Sequence, residues 1–280
     1  MYDQLSRRFV SLIWRLWYPL LTGMIKDSPV VFLNYGYAED ATLGPQLEQL
    51  DETDRQCIQL YRRVASAADL GGLRVLEVSC GHGGGASYIA RYFKPRSLHG
   101  IDRNPKAIDF CRRTHRVPGL TFSCGNALEL DFADDTFDAV INIEASHCYP
   151  DLPRFLREVR RVLCPGGHLL YADFRHKVPD LAVVHGQVDQ SGLEILEYQD
   201  ISAGVVRGMR LNTARNVELI HRLVPKLLWN VCKRFAGVEG SDIYRDLAEG
   251  NTVYYRYALR KRVVAVEPPL EGEPCLHQTV

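Results

Sequence analysis

The chain predicts an α/β domain built on a doubly wound, mostly parallel sheet. Strand-like and helix-like segments alternate, with short connections, from about residue 74 to residue 174. The strand-like runs end in acids and glycines, the residues expected where such a sheet receives a ligand. The size also fits: 280 residues, 46% of them apolar, can bury a core on both faces of a sheet.

In chain order, Arg74–Ser79 reads as a buried strand. Gly84–Phe93 is a helix with Ala86, Ile89, Ala90 and Phe93 on one side. Ser97–Ile101 is a second strand ending at Asp102, and Pro105–Arg113 a helix with its proline placed early. Leu120–Ser123 and Ala139–Ile143 are the third and fourth strands. Between the fourth and fifth strands, Pro153–Leu163 forms a helix with Phe155, Leu156, Val159, Val162 and Leu163 on one face. Pro165-Gly166-Gly167 is a turn, and His168–Asp173 the fifth strand. A largely helical stretch of about residues 176–236 follows as a cap, with helices over Ala214–Val224 and Lys226–Phe235 parted by Pro225. Val253–Leu259 returns to the sheet as a strand. Residues 266–280, rich in proline and glutamate, are expected to be a disordered tail.

Residues 1–60 are expected to be a helical segment outside the main domain of residues 61–265. Phe9, Leu12, Ile13, Leu16, Trp17 and Leu20 recur at helical spacing. Arg15 and Pro19 interrupt the run and no small-residue cleavage site follows, against a signal peptide or a membrane span. This helix is expected to pack on the domain; a lid, a peripheral membrane contact and a homo-oligomer interface are its other roles on this pattern. The eight cysteines form no CxxC pair, which argues for buried, reduced thiols in a cytoplasmic protein and against a metal. Basic and acidic residues balance, 34 against 34, so no bulk electrostatic case exists for nucleic acid.

The chemistry concentrates in "RVLEVSCGHGGGA", where four glycines fall within residues 81–85. Such a turn lets the backbone approach a ligand closely and aims the next helix's free N–H groups at it. Asp102 ends the following strand, where a carboxylate can accept both ribose hydroxyls of a nucleoside. Glu77 would repel a pyrophosphate and attract an ammonium. The nucleoside that carries an ammonium is S-adenosylmethionine.

These residues resemble motif I of the class I S-adenosylmethionine-dependent methyltransferases. "GID" at Asp102, "GNA" at Gly125–Ala127, "FDAVINIEASHCYPD" and "VRRVLCPGGHLLYADF" match that family's later motifs in order and spacing. "WRLWYPLLT" and "EASHCYP" further resemble the phthiotriol and phenolphthiotriol dimycocerosate methyltransferases, which O-methylate a long lipid. The resemblance implies a Rossmann-like, seven-stranded, mostly parallel sheet with the helical cap inserted after strand 5. It also implies roles. Glu77, Gly81 and Gly83 would surround the methionine moiety. Asp102 would hold the ribose, Arg103 would lie beside the adenine, and Asn126 and Ala127 would bind its edge. Tyr37 would close over the cofactor, and Glu144 would face cofactor or acceptor. Ser79 replaces the family's first glycine, so the turn must accommodate a Cβ.

A neutral alcohol is a poor nucleophile and benefits from a base. His147 follows the fourth strand, and an ordinary imidazole pKa of ~6.5 suits the task. By the same resemblance His147 is the expected base, with Asp173 as its orienter or an acceptor contact. His82 is assigned a loop-shaping or cofactor role. The expected acceptor is a hydroxyl on a small apolar molecule or lipid. C-methylation of an alkene and carboxyl methylation of a fatty acid are the alternatives, S-adenosyl-L-homocysteine is the expected cofactor product, and no metal is expected.

Overall fold

The computed structural model describes residues 30–39 and 46–263. The N-terminal helix expected over Phe9–Leu20, the C-terminal tail and Cys275 lie outside these residues.

Seven strands form one sheet in the order β3-β2-β1-β4-β5-β7-β6. They are β1 (Arg74–Val78), β2 (Ser97–Asp102), β3 (Leu120–Cys124), β4 (Phe137–Ile143), β5 (Leu163–His176), β6 (Leu193–Asp200) and β7 (Thr252–Lys261). β1 to β5 run parallel; β7 is antiparallel to both of its neighbours, β5 and β6.

Alternate residues on the strands serve two apolar layers. Val75, Leu98, Ala139, Ile141 and Leu170 meet helices α1 (Arg55–Ala65), α2 (Gly84–Tyr92), α3 (Pro105–Thr114) and α6 (Ser202–Leu223). Leu76, Ile101, Val140, Leu169 and Tyr171 meet α4 (Leu152–Val162) and α5 (Ala182–Asp189). Helix α4 shows why these segments are helical. The Asp151 side chain accepts from the Arg154 amide at 2.8 Å, Pro153 sits in the first turn, and Leu152, Phe155, Leu156, Val159 and Val162 are buried.

Three details depart from the expectations. Helix α1 crosses residue 60, and its Ile58, Leu60, Tyr61 and Val64 join the core under the sheet, so the expected boundary there does not separate two units. Pro165-Gly166-Gly167 lies within β5 as a bulge: Phe137 pairs with Leu163, but Ala139 already pairs with His168. The cap expected over 176–236 is divided by β6. Helix α5 precedes that strand, and α6, α7 (Trp229–Phe235) and α8 (Asp242–Ala248) follow it. β6 escaped because it is an edge strand whose exposed positions carry Leu196 and Tyr198 as well as acids, which blurs the period-two pattern.

Among the described residues no helix is long and apolar enough to cross a membrane, and no cluster of His, Cys, Asp and Glu has metal-ligand geometry. The seven described cysteines are unbonded; Cys57, Cys80, Cys111 and Cys232 are buried as expected, whereas Cys124 is exposed.

Candidate active site

The candidate residues gather at the carboxyl ends of the central strands. Parallel register brings the ends together: Cys80 donates its amide to Ile101 O at 2.9 Å, and Gly125 donates to Asp102 O at 3.0 Å. The turn after β1 is tightly packed. Gly83 caps α2 at φ 75°, a left-handed conformation. A Cβ on Gly85 would lie 1.9 Å from the Tyr61 ring, so this glycine lets α1 lie against α2. Ser79 adopts φ 61° despite its Cβ, and its hydroxyl lies 2.7 Å from the Tyr149 hydroxyl. Asn142 supports both ends, donating to Val78 O and to Tyr149 Oη at 2.9 Å each.

Glu77 is 2% exposed. The Tyr61 hydroxyl donates to its Oε1 at 2.7 Å, while its buried Oε2 has no hydrogen-bond partner among the described residues. Burial pushes its pKa up to about 8, against the Tyr61 hydrogen bond. A half-satisfied buried carboxylate beside a glycine turn suits a cationic group, so these residues fit the ammonium of S-adenosylmethionine. Asp102 is also buried, and burial raises its pKa to about 6. It accepts from the Gly81 amide at 3.0 Å and the Asn104 amide at 2.8 Å, so its carboxylate ties the glycine turn to the end of β2.

The remaining expected nucleoside contacts are less uniform. Arg103 and Asn126 are exposed, and Ala127 is buried among Leu76, Val78 and Ile101. The Asn126 side-chain oxygen, expected at the adenine, accepts from the Leu128 amide at 3.1 Å. His82 is buried, with Nδ1 2.8 Å from Val30 O. Tyr37 packs its ring onto Gly204 in α6, where an added Cβ would come within 2.0 Å of it. The aromatic residue of this stretch that reaches the acids is Tyr35. Its amide donates to Glu144 Oε1 at 3.0 Å, and its ring lies 5.5 Å from Phe174.

Residues 30–38 thus form a strap across the strand ends. Gly84 donates to Val31 O at 3.0 Å, Tyr37 to Gln56 O and Ala38 to Gly204 O, each at 2.9 Å. Glu144 anchors its middle, at φ 51° at the end of β4, and also accepts from the Tyr254 hydroxyl at 2.9 Å. Burial pushes the Glu144 pKa up to about 7.

Beside Glu144 stands a His–Asp pair, its imidazole partly exposed and its carboxylate buried. His147 Nδ1 lies 2.8 Å from Asp173 Oδ1, and Asp173 is fully buried. Four further donors converge on that carboxylate: the Ser146 hydroxyl at 2.5 Å, the His147 amide at 2.8 Å, the Phe174 amide at 2.9 Å and the Arg175 guanidinium at 3.2 Å. Tyr171 and Tyr255 extend the chain, with Tyr171 Oη 2.5 Å from Ser146 Oγ and 3.1 Å from Tyr255 Oη. Burial opposes ionisation of Asp173, yet His147 and Arg175 hold its pKa well below the usual carboxylate range. Burial likewise opposes the imidazolium, but the Asp173 charge carries the His147 pKa up to about 10. The ordinary imidazole value expected for His147 is therefore corrected upward. Phe174 flanks the imidazole, with ring centroids 4.5 Å apart, and lies between Tyr35 and Tyr254.

Sequence reasoning missed Tyr35, Tyr61, Asn142, Ser146, Tyr149, Arg175 and Tyr254. Asn142 carried a usable signal, a lone amide within the apolar run "AVINI". Tyr254 carried none, because antiparallel register brings it opposite Phe174 from 80 positions away. A cavity of about 520 Å³ lined by Gly166, His168, Glu194 and Arg260 lies toward the opposite end of β5 and is separate from these residues.

Similarity to known proteins identifies the family. Residues 76–171 match a family described as "Methyltransferase domain". The phthiotriol/phenolphthiotriol dimycocerosates methyltransferase of Mycobacterium leprae is 45% identical over 251 residues, covering 89% of this chain and 92% of that protein. The fatty-acid O-methyltransferase of Mycolicibacterium smegmatis is 44% identical over 247 residues, covering 88% and 89%. Among solved structures, the [4+2]-cyclase SpnF shares the fold, with a TM-score of 0.64 at 22% identity over 91% of this chain and 96% of that one. The geranyl diphosphate C-methyltransferase of Streptomyces coelicolor does so with a TM-score of 0.61 at 17% identity over 87% and 98%. By its matched domain and by identity along nearly its whole length, this chain belongs to the S-adenosylmethionine-dependent methyltransferases, in the group of the phthiotriol/phenolphthiotriol dimycocerosates methyltransferases.

Proposed function

We propose that this methyltransferase acts on a hydroxyl of an apolar, lipid-like acceptor, with His147 as general base. The observation that carries the reading is the His147–Asp173 pair beside the glycine turn and the strap. In the neutral imidazole Asp173 accepts a hydrogen bond from Nδ1–H, which selects the tautomer in which Nε2 takes the acceptor's proton. S-adenosylmethionine, when bound, supplies a methyl group on a cationic sulfur. Glu77 would hold its ammonium, Asp102 its ribose, and Arg103, Asn126 and Ala127 would lie along its adenine. The partly exposed Tyr35 and Phe174 rings, backed by the buried Tyr254, would offer the acceptor an aromatic wall beside the imidazole. The names of its relatives, which act on phthiotriols or fatty acids, support a lipid acceptor.

With its pKa near 10, His147 holds a captured proton firmly and is mostly protonated at neutral pH. A cationic sulfur bound nearby would lower that value and favour the neutral base. Hydroxyl methylation should therefore rise with pH across the alkaline range. His147→Ala should cost about 10²- to 10⁴-fold in single-turnover rate, with cofactor affinity preserved. Transfer of a labelled methyl group to long-chain alcohols at a series of pH values, in both proteins, tests this; an unchanged rate in the variant removes His147 as base.

The same raised pKa favours a second reading, O-methylation of a fatty-acid carboxylate. Imidazolium would then hold the acceptor's charge, and no proton would need removal. Activity on a fatty acid would fall, not rise, as pH climbs through about 10.

A further inference from the structure

The chain carries no net charge, but the charge is unevenly placed. Ser202 to Val238 holds seven Lys and Arg against one carboxylate, Glu218. This is the helical insertion between β6 and β7, and its far end is built as a separate platform. Ile220, Val224 and Cys232 form a small core of their own, covered by Leu223, Leu228, Trp229 and Ala236. Helix α6, 22 residues and so roughly 33 Å long, leads from Gly204, on which Tyr37 packs, to this platform, and the chain then returns to the strap where Gly237 lies against Tyr35.

The side chains that the platform exposes are both apolar and basic. Leu227 is 91% exposed in the short helical turn Lys226–Leu228, and Val231 is 39% exposed one turn on. The Trp229 ring stacks on His221 at 4.0 Å, with the ammonium groups of Lys226 and Lys233 each 6.0 Å from its centre. Its indole N–H is satisfied internally by Val224 O at 2.9 Å. Arg222, Lys226 and Lys233 make no ion pair among the described residues, while Arg234 at the edge pairs with Asp242 at 2.6 Å.

We infer that this tip, from Arg222 to Arg234, docks on an anionic lipid surface. Leu227 and Val231 enter the headgroup layer, and Arg222, Lys226 and Lys233 meet lipid phosphates. Exposed aliphatic side chains interspersed with basic ones, with an indole between two lysines, match the mixed chemistry of a bilayer surface. A nucleic acid would have no use for a leucine this exposed among the basic residues. The inference is independent of the catalytic reading, since the tip contains none of the residues assigned to cofactor or acceptor.

Vesicle flotation of the full chain tests it, comparing phosphatidylglycerol mixed with phosphatidylcholine against phosphatidylcholine alone. The wild type should float with the anionic vesicles and lose that partition as salt is raised. Leu227→Asp, and separately Lys226→Glu with Lys233→Glu, should each lower partitioning by on the order of tenfold or more. Both variants change exposed or half-exposed side chains and should keep the wild-type cofactor affinity. Equal partition to both vesicle types overturns the inference. So does Leu227→Asp floating like wild type, which would move any membrane contact elsewhere in the chain. Retention on duplex DNA, unchanged by Leu227→Asp and without flotation, overturns it in favour of a nucleic-acid surface.

Discussion

Glu77 and Asp173 lie near the carboxyl ends of β1 and β5, and both are buried, at 2% and 0% exposure. Their chemistry is nevertheless opposite. Glu77 is met by the Tyr61 hydroxyl and the Ala86 amide, its Oε2 has no hydrogen-bond partner among the described residues, and its pKa rises to about 8. Asp173 collects five donors, two of them from groups that carry positive charge, and its pKa falls below the normal range. Burial pushes both the same way, so the donors decide the outcome. One carboxylate has its partners built in; the other is left for a partner that arrives.

The largest expected effect comes from breaking the complete side. Asp173→Asn leaves His147 and Arg175 in place without their shared counter-charge. It should cost about 3–5 kcal/mol in denaturant unfolding, together with most of the activity. The loss should depend on pH with a definite sign. The His147 pKa is raised on folding, so its contribution is fully present below about pH 6.5 and disappears as pH rises through about 10. The Asp173 pKa is lowered, so its contribution is present above about pH 4 and fades as pH falls toward the folded-state value. Wild type and variant should therefore differ most between about pH 4 and 6.5, and a pH series of urea melts checks this.

A smaller effect is expected from the open side. Glu77→Gln should weaken S-adenosylmethionine by about 10- to 100-fold, as for loss of a charge-assisted hydrogen bond. In the wild type, binding a cation to a carboxylate with a pKa near 8 must release a proton, so affinity should strengthen as pH rises toward 8. Calorimetry in buffers of different ionisation enthalpy should detect that proton, and the variant should lack it.

The smallest expected effect is at Ser79. Ser79→Gly relieves a left-handed conformation at the cost of the contact to Tyr149, two effects of about 1 kcal/mol and opposite sign. Melting should move by no more than a few degrees. A large loss would show that the hydroxyl, and not the turn, holds this position.

The same contrast explains how much could be read in advance. Glu77 and the glycines are legible because one short local pattern, apolar run to acid to glycines, specifies them, and Asp102 because it ends the next strand-like run. His147 and Asp173 are legible as strand-end residues, but their environment is not. Ser146 and Arg175 are close in sequence to the pair, yet nothing local says that both face the same carboxylate. Tyr254 meets Glu144 only through the pairing of β5 with β7, and Tyr35 only through the path of the strap. The assigned imidazole value failed for the same reason: it depends on a carboxylate 26 positions away.

The strap grips the rest of the domain largely through main-chain atoms: the Val30 and Val31 carbonyls and the Tyr35, Tyr37 and Ala38 amides. The main-chain hold leaves side-chain identity open at Val30, Val31 and Ala38, while the Tyr35 and Tyr37 rings are packed against Phe174 and Gly204. Substitution at the first three positions should therefore leave the path of the segment unchanged, whereas loss of either ring should loosen it.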